Sequence, residues 1–260
     1  MNKLLYGLLL IFTLCRVNAQ EEPPELITDR PDQTESSSVI PFRSLQIETG
    51  FVLENNSADD FQYKGYAYNA TLLRYGLLEN LELRLGLAYM GEEWKFNTTD
   101  SLSTIKGLSP LLTGFKIQIC REKGLIPEIA FIGGLSLPFV AGEDLRSDYT
   151  AGIMRLSVSH SLSDVFSFGY NLGVEWDGES AAPAFFYTVV MGIGITNKLG
   201  AFVEGFGSIP EKSPSSHLLH AGLTFLLLQN LQLDLSGGLG LNEKAMDNFL
   251  SCGLSWRLPR

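Results

Sequence analysis

The sequence predicts an all-β protein, a transmembrane antiparallel up-and-down β-barrel of about twelve strands with short periplasmic turns and longer extracellular loops. Three observations predict it. Apolar residues recur with period two along most of the chain, and alternation places one residue set on each face of a strand. Many alternating segments approach the roughly nine to eleven residues that a tilted membrane strand needs. Their connections are by turns tight and long, the asymmetry of bacterial outer-membrane barrels.

The chain opens with Lys3, the apolar run Leu4 to Leu14 and the small-residue site Val17-Asn18-Ala19. This predicts a signal peptide over 1–19, cleaved near Ala19. Its apolar run is about half the roughly twenty residues of a spanning helix. A polar periplasmic segment, 20–44, follows, and the barrel is expected over 45–260. Strands are expected near 45–53, 64–75, 81–91, 107–120, 126–138, 149–160, 165–176, 183–196, 201–209, 217–228, 231–241 and 247–258. Leu81-Glu82-Leu83-Arg84-Leu85-Gly86-Leu87 and Leu231-Gln232-Leu233-Asp234-Leu235-Ser236 alternate without a fault. Segments Leu77–Asn80, Arg121–Gly124, Ser161–Asp164, Asn197–Gly200 and Gln229-Asn230 are expected as tight turns. Glu54–Tyr63, Glu92–Lys106, Phe139–Asp148, Asp177–Ala182, Pro210–Ser216 and Asn242–Asp247 are expected as outer loops.

A soluble β-sandwich would alternate too, with its apolar face inside. Here Phe166, Phe168, Tyr170 and Trp176 share one face while Ser167, Gly169, Asn171, Gly173 and Glu175 share the other. Lipid outside and water inside suits that distribution, because closure pairs every backbone group.

The formal charge is −10 and the 19 Lys and Arg residues are scattered, which argues against nucleic acid as a partner. Beyond the leader, Cys120 and Cys252 have neither disulfide-framework nor zinc spacing. No cofactor is expected. Asp29 and Asp32 flank a proline without the spacing of a calcium loop, so no metal is expected either. Catalysis would need a nucleophile with a base in reach. The three histidines, His160, His217 and His220, are expected as polar rim residues, and there is no GxSxG elbow. The chain is expected not to be an enzyme.

Thr28-Asp29-Arg30-Pro31-Asp32-Gln33-Thr34-Glu35, then Pro41, then Gln46-Ile47-Glu48-Thr49-Gly50, resembles the opening of the bacterial "putative MetA-pathway of phenol degradation" family. Leu72 to Leu77, Gly107 to Pro110, Ile126 to Ala130 and Leu231 to Gly238 are also typical of it. Its members are outer-membrane β-barrels usually labelled transporters. Arg43 stands where the family often has glycine, and the tail Trp256 to Arg260 lacks a terminal aromatic. The resemblance implies a channel or transporter in the cell outer membrane for small molecules, apolar or aromatic ones among them. The alternative is a largely closed structural or ligand-binding barrel without net transport. Expected partners are outer-membrane lipid and lipopolysaccharide, the barrel-assembly machinery and a small-molecule solute.

The alternation phase turns Glu48, Glu82, Arg84, Lys116, Glu128, Arg155, Glu175, Glu204, Asp234 and Arg257 into the lumen, and leaves Arg74 without a clean phase. All but Glu175 are expected toward the short-turn end, as a charged constriction or as a solvated lumen whose charges pair across strands. Above them the inward positions are expected to be mostly small: Gly86, Ala88, Gly134, Gly169, Gly173, Gly192 and Gly194. Asp29, Arg30, Asp32 and Glu35 could meet the lower ring and plug the pore. The competing reading is a flexible tether, which so polar a composition allows.

Overall fold

The computed structural model describes residues 24–58, 60–96 and 101–258. The expected signal peptide lies outside them. The strands are β1 (Leu45–Ser57), β2 (Phe61–Leu78), β3 (Leu81–Leu87), β4 (Tyr89–Phe96), β5 (Ser101–Leu108), β6 (Leu111–Cys120) and β7 (Glu128–Leu137). After two short 3-10 turns come β8 (Ala151–Ser161), β9 (Phe166–Trp176), β10 (Ala184–Gly194), β11 (Leu199–Pro210), β12 (Ser216–Leu228), β13 (Leu231–Gly240) and β14 (Asn248–Arg257).

All pairings are antiparallel between neighbours, and β1 pairs with both β2 and β14, which closes the barrel. Twelve staves result, because β3 with β4 and β5 with β6 each form one stave in two pieces. The first piece ends at Ala88 and the second begins past Ser109-Pro110. At the break Ala88 and Ser109 bond each other, with the Ser109 amide donating to the Ala88 carbonyl at 2.8 Å.

The lipid and lumen faces are as the alternation predicts. Leu83 and Leu235 are 44% and 60% exposed, whereas their neighbours Glu82, Arg84 and Asp234 are buried. Outward leucines that would be costly in water form the surface a bilayer covers.

Two expectations need correction. Glu92–Lys106 is not simply a loop. Residues 89–96 and 101–108 form a hairpin whose first strand pairs with the upper half of β2, Phe61 opposite Phe96 to Ala67 opposite Met90. The Trp94 ring packs 4.5 Å from Tyr63 and 5.7 Å from Phe61, centroid to centroid, which gives a polar sequence the side-chain pairs that hold strands together. Nor do all of the small inward positions stay open space in the upper lumen. The Phe186 ring lies over Gly173, Phe202 over Gly222 and Phe249 over Gly238, where a Cβ would collide with each ring. These inward glycines are seats for flat aromatic rings. Gly192 and Gly194 fall near the short-turn end, because β10 runs downward.

The polar segment joins β1 through a turn at Pro41–Ser44, where the Ser44 amide donates to the Pro41 carbonyl at 3.0 Å. Arg43 has φ 59°, a left-handed conformation that costs an L-residue roughly 1–2 kcal/mol. Its family departure therefore sits where glycine would be unstrained. Gly76 receives the turn, and any Cβ there would run into the Pro41 carbonyl. Arg43→Gly is expected to raise stability by up to about 1 kcal/mol, less whatever the Arg43 guanidinium contributes over the Phe42 ring. Urea midpoints of the folded protein in detergent would measure it, and a fall in midpoint would show that the stacking outweighs the strain.

Candidate functional site

Each stave turns an inward side chain toward the level at which the N-terminal segment crosses the lumen. The segment makes no strand ladder there. It is held through side chains, and Asp29 is the centre. Lys116 on β6 donates to both Asp29 carboxylate oxygens at 2.9 Å, and Arg84 on β3 donates to Oδ2 at 2.7 Å. Arg74 Nη1 lies 3.3 Å from the same oxygen. The Ser36 amide and hydroxyl donate to Oδ1 at 2.9 and 3.0 Å, folding the segment back on itself. Burial alone would raise the Asp29 carboxyl, but Arg74, Lys116 and Arg84 together hold it well below the ordinary carboxylate range.

Arg74 is the largest of the fully buried side chains. Its guanidinium makes a two-pronged contact with Glu82, both bonds at 2.9 Å, and a third with Glu48 at 2.8 Å. Its phase was illegible because the register with β1 slips from Gly50 opposite Ala70 to Val52 opposite Ala67. The inward parity of β2 therefore reverses partway along the strand, as bulges cause. Glu48 and Glu82 also accept from the segment's backbone, from the Asp29 amide at 2.9 Å and the Ile40 amide at 3.0 Å.

The remaining expected residues hold the segment around the ring. Arg30 donates to Asp234 on β13 and to Ser251 on β14, each at 2.9 Å through Nη2. Its guanidinium lies against Gly50 and Gly253, where a Cβ at either position would strike it. Glu35 is reached by Arg84 at 2.7 Å and Arg155 at 3.5 Å. Arg155 also donates to the Gln33 carbonyl at 2.9 Å and lies over the Phe186 ring. Glu128 on β7 accepts from Ser37 and Ser38 at 2.7 and 2.6 Å. Arg257 donates to the carbonyls of Pro24 and Glu25 near the short-turn end. Glu175 is half-buried, higher on β9.

Glu204 on β11 acts as a second centre. It accepts from the Gln33 amide at 2.9 Å, the Thr34 amide at 2.7 Å and the Thr34 hydroxyl at 2.5 Å. Its other partner is His220 Nδ1 at 2.8 Å. The expectation of a rim histidine is wrong for His220, which is 1% exposed deep in the lumen, beside Phe202 and Phe249. The signal was available in its inward parity opposite Glu204. His217 faces the other side of the wall, where it bonds Tyr187 and Ser215. Neutral residues that sequence reasoning passed over also grip the segment. Asn171 and Ser157 bond the Glu35 backbone, and Thr188 bonds the Thr34 hydroxyl.

Asp32 differs from the others. No cation of the lower ring reaches it among the described residues, so the pairing expected for it does not form. Burial raises its carboxyl well above the usual range and the nearby Glu204 charge adds to the rise. The segment thus brings one strongly ionised and one reluctantly ionised carboxyl into the same pore. On its short-turn side it leaves a cavity of about 480 Å³, lined in part by Ile27, Ile40, Phe42, Glu79 and Arg121. A second cavity lies on its outer side.

The profile of the family described as "Putative MetA-pathway of phenol degradation" matches residues 28–258. Comparison with curated proteins gives no match. Among solved structures, the COG4313 outer membrane channel from Pseudomonas putida F1 is similar, with a TM-score of 0.70 at 10% identity over 85% of this chain and 98% of that one. The translocator domain of the autotransporter NalP from Neisseria meningitidis gives 0.55 at 9% identity over 83% and 88%. The NanC porin gives 0.51 at 10% identity over 82% and 100%. At such identities the likeness is one of fold: an outer-membrane barrel.

Proposed function

The chain belongs to the family described as "Putative MetA-pathway of phenol degradation", and on that premise we propose that it is an outer-membrane channel for small solutes, apolar and aromatic ones among them. Its N-terminal segment serves as the plug that narrows the resting pore. The carrying observation is that side chains from β1, β2, β3, β6 to β11, β13 and β14 hold this segment, while no strand ladder among the described residues includes it. A plug held this way can shift without breaking the barrel wall, because every ladder bond stays made. The Pseudomonas protein of similar fold is itself described as a channel, which agrees with the reading.

Outer-membrane lipid and lipopolysaccharide, the assembly machinery and the solute remain the proposed partners. The density of buried charge favours the channel over the alternative of an inert closed barrel. Replacing a buried ion-pair network by well-packed apolar residues is often neutral or stabilising by roughly 1–4 kcal/mol, so a barrel needing only to stay closed has no use for so many charges. The test is solute flux into liposomes carrying the purified protein, with phenol and a small sugar as solutes. Faster phenol entry than in protein-free liposomes supports the channel. Equal entry, for the whole protein and for one lacking the plug, points to the closed barrel.

A further inference from the structure

The cavity on the outer side of the plug has a volume of about 310 Å³, within the usual range for a small-molecule pocket of roughly 300–1,000 Å³. Its floor is the plug at Arg30 to Gln33. Its wall is built by Val52 and Glu54 of β1, Phe206 of β11, Phe249 of β14 and Met246 of the adjoining loop. Phe206, Phe249 and Met246 belong to one apolar cluster, resting on buried Leu218 and Ala245. One side of the space is therefore aromatic and thioether, held rigidly from behind.

The charge on its other side decides what it suits. Arg30 reaches the floor, but its guanidinium is spent on Asp234 and Ser251. Asp29 is likewise neutralised by Lys116, Arg84 and Arg74. Two carboxyl groups remain, Asp32 and Glu54, and neither has an ion-pair partner among the described residues. Glu54 lies opposite Gly65 in the ladder, and Gly65 lies opposite Glu92, so a further acid stands in the same row. The bases of the neighbouring strands, Lys64, Lys95 and Lys106, occupy the opposite parity, on the outward face. Unpaired acids over an aromatic wall form a site that favours a positive charge twice. Coulomb attraction acts from one side, and the negative faces of aromatic rings act from the other.

We infer that this outer cavity binds amphipathic organic cations, molecules that join an aromatic or branched apolar body to a protonated amine. The inference names a substrate class for the proposed channel and rests on that reading only for passage, because binding needs no open pore. The apolar body packs on Phe206, Phe249 and Met246, and the ammonium lies between Glu54 and Asp32. A carboxylate analogue of the same shape brings a second negative charge beside Glu54 and is rejected.

The test uses the whole protein folded in a neutral detergent, with three probes of matched body: 2-phenylethylamine, 2-phenylethanol and phenylacetate. Calorimetry or saturation-transfer NMR reads their affinities. The amine is expected to bind at least tenfold more tightly than the alcohol, and phenylacetate more weakly than either. Glu54→Gln is expected to remove most of the amine's preference over the alcohol, and Phe249→Leu to weaken amine and alcohol together. Asp32→Asn, on a segment outside the barrel wall, removes the second acceptor and is expected to weaken amine binding less than Glu54→Gln does. Equal affinity for amine and alcohol, or a preference that survives both acid substitutions, overturns the inference. Amine-selective binding without any flux in liposomes would refute the channel and leave the site standing. Flux without selectivity would do the reverse.

Discussion

Deleting Thr28 to Ser37 is expected to raise single-channel conductance in planar bilayers while the barrel remains folded. No strand loses a ladder bond, since the segment contributes none. Arg74 keeps Glu48 and Glu82, and Arg84 keeps Glu82, so the ring stays largely paired when water replaces the plug. Asp29→Asn isolates the central contact. It removes the charge that Lys116, Arg84 and Arg74 share, and losing one member of a buried charged network costs roughly 3–5 kcal/mol. Partial hydration of the lumen lowers that figure, so the variant should open partway. Asp32→Asn should do the opposite. The docked state raises the Asp32 carboxyl, so docking favours its protonated form and weakens as pH rises through the docked value. An uncharged amide there should hold the plug at least as well. For Asp29 the sign reverses: its carboxyl is lowered on docking, and that contribution is present above its ordinary value and lost only in strong acid. Unchanged conductance on deletion, with the protein folded, would show that the segment is a tether and not a plug.

Leu235→Arg is expected to abolish or sharply reduce folding into liposomes, whereas Leu235→Phe should fold as the parent does. Leu235 is 60% exposed on the outer face midway along β13, and the next residue, Ser236, is buried inside. A charge on the lipid face near the bilayer midplane costs roughly 2–4 kcal/mol. The heat-modifiable gel shift of folded barrels would read the yields. Equal yields for the two variants would put the wrong face toward the lipid.

Period-two patterning made the staves, their inside and outside and most of the inward charges legible, because one rule fixes every side chain on an unbroken strand. Where the rule broke, reading failed. Arg74, a fully buried cation, was unassigned because the β1–β2 register slips above it. Glu92 to Lys106 looked like a loop because its stabilising partners, Tyr63 and Phe61, lie on another strand. His220 was misplaced because its polarity suggested a rim, whereas its environment is set by Glu204 across the strand pair and by aromatic rings from β11 and β14. Asp32 looked like Asp29, and only the three-dimensional arrangement shows that one meets three cations and the other meets an acid.

The contacts of Arg30 also order events in time. Its partners Asp234 and Ser251 lie 204 and 221 residues further along the chain, on the last two strands. Arg30 therefore has no seat until the final hairpin is in place, whereas its neighbour Asp29 finds Arg74, Arg84 and Lys116 on much earlier strands. Contacts of such long sequence separation form late, because the loop entropy must be met before they stabilise anything. Seating of Arg30 thus acts as a report that the ring has closed.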